Sequence, residues 1–258
     1  MIEKNHEDGT GIQIRGVHKR FGSQVVLAGI DLDIARGEQR VILGRSGQGK
    51  SVLLKLIVGL LSTDQGSIRV DGEEVTRMTK SELYRLRRRF SMVFQGGALF
   101  DSMTVLENIG LGLKEHTKIH GAELSRRSER ALEMVDLAGT GPKMPSELSG
   151  GMRKRASLAR AIVTEPDYLL YDEPTTGLDP ITSDAINRLI QRLDEELGVT
   201  SIVVTHDMSS AFVVGDRFAL LNNGTVCFEG TAEQARSQER GAIRQFIDGD
   251  SAGPLECF

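Results

Sequence analysis

Apolar and polar positions alternate through the first forty residues of the chain. Ile12, Ile14 and Val17 lead into VVLAGIDLDI (25–34), where Ile30, Leu32 and Ile34 fall on one side, and QRVIL (39–43) closes the run. A period of two predicts β structure over 12–43. SIRVDGEEV (67–75) predicts a hairpin turning at Asp71-Gly72. SELYRLRRR (81–89) predicts a basic helix, and FSMVFQ (90–95) a buried strand that ends at Gln95. From 96 to about 164 the pattern turns helical. TVLENIGLGL (104–113) and AELSRRSERALEMVDL (122–137) supply helices, with Leu124, Ala131, Leu132 and Val135 on one face. A Ser-Gly-Gly turn at 149–151 then opens a basic amphipathic segment, 153–163. Ile186, Leu189, Ile190, Leu193 and Leu197 form a helical stripe that reads as core packing. TSIVVTH (200–206) predicts a strand ending in His206. FALLNNGTVCFEGTAEQA (218–235) predicts a hairpin turning at Asn223-Gly224, then a short helix.

Two places break the pattern in a chemically specific way. QRVIL runs into GRSGQGKS (44–51), and a helical run begins near Lys50. Strand, glycine loop and helix in that order are what a phosphate-binding P-loop requires. Glycines let backbone N–H groups turn inward around phosphate oxygens, and the helix N-terminus adds a favourable field. Lys50 is expected to neutralise β and γ phosphates, and the Ser51 hydroxyl to ligate Mg²⁺. The second break is DYLLYDE (167–173), where an apolar run stops abruptly at Asp172 and Glu173. Acids at the carboxyl end of a buried strand lie where α/β folds bind ligands.

Composition narrows the setting. With 258 residues the chain can bury one large core or two modest ones. A net charge of −4 gives no basic field for nucleic acid. No apolar run approaches the roughly 18 residues of a membrane span; VLLKLIVGLL (52–61) is short and carries Lys55. The opening MIEKNHEDGTG has no apolar core, so no secretory signal is expected. Cys227 and Cys257 suggest neither a disulfide framework nor a metal site. The expected setting is cytoplasmic, with any membrane contact made through a partner.

The glycine loop, LSGGM (148–152), DYLLYDE and TTGLD (175–179) occur in order, and together they resemble the ATP-binding subunits of ABC transporters over nearly the whole chain. The resemblance implies an α/β P-loop NTPase fold, with an N-terminal antiparallel β region and an inserted α-helical subdomain. Its implied divisions are a nucleotide-binding core at 10–95 and 165–230, a helical subdomain at 96–164 and a C-terminal helical tail at 231–258. The cofactors implied are ATP and Mg²⁺. ATP contacts would come from Phe21, stacked on adenine, and from Gly44, Arg45, Ser46, Gly47, Gln48, Gly49, Lys50, Ser51 and Val52. Val52 stands where the family usually has a second hydroxyl, a change that removes about 1 kcal/mol of hydrogen bonding to the α-phosphate. Gln95 would sense Mg²⁺ and the attacking water, Asp172 would hold the Mg²⁺ shell, and Glu173 would be the general base or the group that orients water. His206 would contact the γ-phosphate. Ser149, Gly150 and Gly151 of the signature, with Met152 in its usual glutamine slot, would reach the partner protomer's ATP, and Asp179 would face the partner's nucleotide site. One P-loop and one signature per chain imply a head-to-tail homodimer.

FQGGALFDSMTVLEN (94–108), MPSELSGGMRKRASLARAI (144–162), DEPTTGLDPIT (172–182) and RQFIDG (244–249) look like the ATPases of MCE-linked lipid transporters, nearest to the system that maintains outer-membrane lipid asymmetry in Gram-negative bacteria. That likeness implies an integral permease, a periplasmic MCE-domain protein and a small cytoplasmic regulator as partners. It also implies phospholipid as cargo and the cytoplasmic face of the inner membrane as the location. Two other readings stay open: the same kind of transporter with another cargo, such as amino acids or an exported toxic compound, and a non-transport ABC ATPase of translation or DNA repair. His6, His18, His116 and His120 are expected to be solvated. The tail reads as a surface helix with a loose end, or alternatively as a segment whose Phe246, Leu255 and Phe258 dock on the sister subunit.

Overall fold

The computed structural model describes residues 11–255, so His6, Cys257 and Phe258 lie outside the described residues. Contacts divide the chain into two units, one running through Arg87 and resuming at Thr200, the other Arg88–Val199.

The first unit begins with β1 (Gly11–Phe21) and β2 (Gln24–Ala35), paired antiparallel. The register sets Ile12 opposite Ile34, Ile14 opposite Leu32 and Val17 opposite Ile30. Every one of these six side chains is at most 2% exposed, so the alternation read from the sequence is the buried face of this sheet. After β3 (Gln39–Leu43) and α1 (Lys50–Ile57), β4 (Gln65–Val70) pairs antiparallel with the other edge of β1, and β5 (Glu73–Glu74) continues the sheet in the order β2-β1-β4-β5. The hairpin turns at Asp71-Gly72 as expected, and α2 (Lys80–Arg87) follows. His18 departs from expectation: it is half-buried, its imidazole lying against β2 beside Gly29. The reason is its central position in a strand paired on both sides.

The second unit runs through β6 (Phe90–Val93), α3 (Val105–His116), α4 (Gly121–Met134), α5 (Gly150–Ile162), β7 (Tyr168–Asp172) and α6 (Pro180–Leu197). β6 and β7 pair in parallel, Phe90 opposite Tyr168 with stacked rings 4.5 Å apart. Parallel strands need a long crossover, and three helices supply it. A capping box starts α3: Thr104 Oγ1 accepts from Glu107 N at 3.3 Å and the Glu107 carboxylate accepts from Thr104 N at 2.8 Å. The apolar stripe of α6 packs inward, Ile186, Leu189, Ile190 and Leu193 being at most 4% exposed, with Leu197 half-buried in its last turn. One boundary is corrected. β6 stops at Val93, Phe94 is 37% exposed, and Gln95 lies in the following loop rather than at the strand end.

The chain then returns to the first unit with β8 (Thr200–Thr205), α7 (Met208–Val214), β9 (Arg217–Asn222), β10 (Thr225–Thr231), α8 (Ala232–Ser237) and α9 (Ala242–Asp248). β3 lies between β8 and β9, parallel to both, and β10 pairs antiparallel with β9. Asn223 and Gly224 turn the last hairpin at φ 47° and 76°, the left-handed pair that a tight two-residue turn favours. Gly224 O accepts from Ala28 N at 2.7 Å, which ties this hairpin to β2. The tail is not a loose end within the described residues. Gln245 Oε1 accepts from Leu255 N at 2.7 Å and its Nε2 donates to Leu255 O at 3.2 Å, so Leu255 is buried against its own chain and is not available to a sister subunit. Among the described residues no helix is long and apolar enough to cross a membrane.

Candidate active site

In the first unit, the loop between β3 and α1 is shaped by its backbone. Gly47 and Gly49 have φ of 82° and 89°, a region that glycine enters without strain. Gly49 also has no room for a side chain, because a Cβ there would come within 2.8 Å of Leu27 and 2.9 Å of Val26. The loop is therefore pressed onto β2 where it enters α1. Lys50 is only 6% exposed, and its Nζ donates to Gly44 O at 2.7 Å and Arg45 O at 3.2 Å. A cation is thus held inside a ring of backbone, the arrangement a bound phosphate needs. Gln48 Oε1 accepts from Asn223 N at 2.6 Å, which anchors the loop to the β9–β10 turn. Ser51 and Val52 are half-buried in the first turn of α1. His206 follows β8 directly and is exposed. It lines one cleft of about 480 Å³ with Arg45, Ser46, Phe246 and Leu255. Phe21, at the end of β1, is 47% exposed, and Lys19 Nζ lies 5.5 Å from its ring centre.

The second unit holds the acids and the signature. Asp172 ends β7, and Glu173 follows with φ 51°, a left-handed conformation for a residue with a full side chain. Thr176 fixes that turn, its N donating to Glu173 O at 3.3 Å and its Oγ1 to Glu173 Oε2 at 3.1 Å. Such local strain costs about 1–3 kcal/mol and persists where neighbours impose it. Beneath it, Tyr171 Oη donates to Asp194 Oδ1 of α6 at 2.8 Å, both side chains at most 2% exposed. Burial first, then the Asp194 carboxylate, holds the Tyr171 phenol well above its ordinary range. Ser149 caps α5, its Oγ accepting from Met152 N at 3.3 Å, and Ser149 and Gly150 are exposed. Gly151 packs close to α6, where a Cβ would come within 2.9 Å of Thr182 Cγ2. Asp179 caps α6, accepting from Ile181 N and Thr182 N at 3.0 Å each and from Thr182 Oγ1 at 2.6 Å. Those bonds, the Thr182 hydroxyl foremost, hold the Asp179 carboxyl below the usual carboxylate range.

Several residues that frame this second region did not stand out in the sequence. Gln95 is exposed, but its carbonyl accepts from Lys154 Nζ of α5. Arg160, from the same helix, donates to Ala98 O at 2.6 Å and Gly97 O at 3.2 Å. Burial pulls both cations below their ordinary pKa values, and for Lys154 the charge of Glu173 pushes the other way. Asn108 of α3, fully buried, accepts from Phe100 N at 2.7 Å and donates to the carbonyls of Phe100, Met103 and Thr104. The available signal was position: Lys154, Leu158 and Ala161 share the buried face of α5 at helical spacing. Among the described residues no cluster of three or more His, Cys, Asp or Glu could hold a metal alone. A divalent cation would share its shell with phosphate oxygens, as Mg²⁺ commonly does.

Comparison with known proteins follows the same lines. The model of the ABC transporter family matches residues 27–176. The chain is 41% identical over 244 residues to the intermembrane phospholipid transport system ATP-binding protein MlaF of Escherichia coli K12, covering 95% of this chain and 91% of that protein. It is 40% identical over 247 residues to the probable ribonucleotide transport ATP-binding protein mkl of Mycobacterium leprae, covering 96% of this chain and 71% of that one. Among solved structures, the dimeric post-hydrolysis state of the ATP-binding cassette MJ0796 bound to ADP and Pi superposes with a TM-score of 0.77 at 33% identity, covering 85% of this chain and 98% of that chain. CbiO1 of Clostridium perfringens, part of the ABC transporter complex cbiONQ, gives 0.82 at 28% identity, covering 95% of each.

Proposed function

The chain belongs to the ABC transporter family, and from that premise we propose that it is the ATPase subunit that powers phospholipid movement between membranes. The observation that carries the ATPase reading is the buried Lys50 amine held by the carbonyls of Gly44 and Arg45 inside the glycine loop, while Arg45 and Ser46 of the same loop line a cleft with His206. The cargo reading rests on likeness to MlaF along nearly the whole chain.

In this reading Lys50 and the loop amides bind the β and γ phosphates of ATP, and Phe21 stacks on adenine. Val52 replaces a hydroxyl with an apolar contact, so the α-phosphate is held by backbone donors. Ser51, Asp172 and Gln95 would hold Mg²⁺, which would supply charge neutralisation on the transferring phosphoryl group. Glu173 orients water and accepts its proton, and His206 donates to the γ-phosphate. Little covalent chemistry is required of the protein, since phosphoryl transfer depends mainly on positioning and charge stabilisation. Two copies work head to tail. Ser149 and Gly150 are exposed and Gly151 lies against α6, which Asp179 caps; in this reading the turn meets a second copy's nucleotide. The dimeric MJ0796 neighbour supports this pairing. The partners are an integral-membrane permease, a periplasmic MCE-domain protein and a small cytoplasmic regulator, and the chain sits peripherally on the cytoplasmic face of the inner membrane.

Likeness to mkl favours one second reading, a nucleotide cargo on the same machinery. Detergent pull-down of the tagged chain, with mass spectrometry of proteins and small molecules, separates the two. Recovery of a permease, an MCE-domain protein and phospholipid supports the first reading. A permease carrying ribonucleotides and no lipid transfers the cargo to the second. Ribosomal or DNA-repair proteins without a permease would overturn transport altogether.

A further inference from the structure

We propose that Lys154 is a positioning residue for ATP hydrolysis, setting the loop that carries Gln95 relative to the helix that carries the signature. This rests on the reading of Gln95 and Glu173 as hydrolytic residues. Lys154 lies one turn into α5, five residues beyond the signature serine, and is only 7% exposed. Burying an ammonium group is costly unless it finds partners. Its partner here is the main-chain oxygen of Gln95, to which Nζ donates. Arg160, six residues further along α5, holds Gly97 O and Ala98 O in the same loop. That loop needs holding: Gly97 and Ala98 adopt φ of 76° and 48°, and its own backbone supplies one bond, Gly97 N to Phe94 O at 2.9 Å.

The consequence is mechanical. The Gln95 side chain is exposed and unable to fix itself by packing, so its position follows its backbone. That backbone follows α5, whose first residues are the signature glycines. Glu173 acts on the same ammonium through its charge, opposing the effect of burial. One side chain thereby ties the Gln95 loop to the signature helix. Arg160 alone secures the loop two residues later and leaves the Gln95 carbonyl untouched.

The test uses the full-length chain and three substitutions that separate donor from charge. Lys154→Arg keeps both, Lys154→Gln keeps a donor, and Lys154→Met keeps neither. Steady-state hydrolysis should fall in that order, with Lys154→Met losing about tenfold in kcat while KM for ATP changes less than about twofold. Hydrogen exchange at the Gly97 amide should speed up in Lys154→Met and return toward normal in Lys154→Arg. A merely structural lysine would instead lower the melting temperature and affect KM and kcat together. Unchanged kcat and unchanged Gly97 exchange in Lys154→Met would overturn the proposal, as would a loss that arginine fails to restore. Glu173→Gln is run alongside: if it turns over normally, the underlying assignment of the base fails, whatever Lys154 does.

Discussion

The glycine loop at 44–51 and the region around Gln95, Glu173 and the signature both hold charged groups still, but they do so with different parts of the chain. In the loop the backbone does the holding. Gly47 and Gly49 bend it, carbonyls of Gly44 and Arg45 grip Lys50, and every one of these residues lies within a span of eight. In the second region side chains do it, and they come from far away. Lys154 reaches Gln95 across 59 positions, Arg160 reaches Gly97 across 63, and Tyr171 reaches Asp194 across 23. A site built from local backbone is compact in sequence and intolerant of any added atom. A site built from distant side chains tolerates sequence change at each point and depends on the helices keeping their register.

The strongest test of this contrast is Gly49→Ala. A left-handed φ and a collision with Val26 and Leu27 together should destabilise the first unit by about 3 kcal/mol and remove most ATP affinity. Retained affinity in a nucleotide-binding titration would mean that the backbone does not set the site. Next in size is Tyr171→Phe, which leaves the buried Asp194 one donor short. It should cost about 2 kcal/mol in denaturant unfolding and leave ATP affinity within about twofold. An equal fall in affinity would dissolve the distinction between the two regions. The smallest effect expected is from Thr104→Ala, which removes the capping box of α3 and should cost about 1 kcal/mol, with hydrolysis largely kept. A large loss of hydrolysis would show that α3, through Asn108 and the loop at 100–104, governs the Gln95 segment as strongly as α5 does.

The same contrast explains what the sequence made legible. Strands with one buried face announce themselves by alternation, and β1, β2 and β4 were read directly for that reason. The glycine loop was equally plain, because all its parts are contiguous. Where the fold depends on distant pairings, local pattern does not reveal it. FSMVF is apolar at four of its five positions, yet Phe94 is 37% exposed and the strand ends before it, so Gln95 moves into the loop. Lys154 is one of several cations in a basic amphipathic segment, and nothing local says that a carbonyl 59 residues upstream awaits it. Leu255, a candidate for docking on a sister subunit, instead has both its main-chain groups bound by Gln245. Polar groups that pair inside a core leave no periodicity of their own.

Hydrolysis is assigned to Glu173 as the group that activates water in a nucleotide-bound pair of chains. The direct measurement is light scattering and phosphate release on one sample of the Glu173→Gln full-length chain with Mg²⁺ and ATP. The account predicts a shift from monomer to dimer mass on adding ATP, with phosphate release at least about a hundredfold below wild type. Wild-type release from that variant would contradict the assignment of the base, and a monomer that binds ATP without pairing would contradict the shared site.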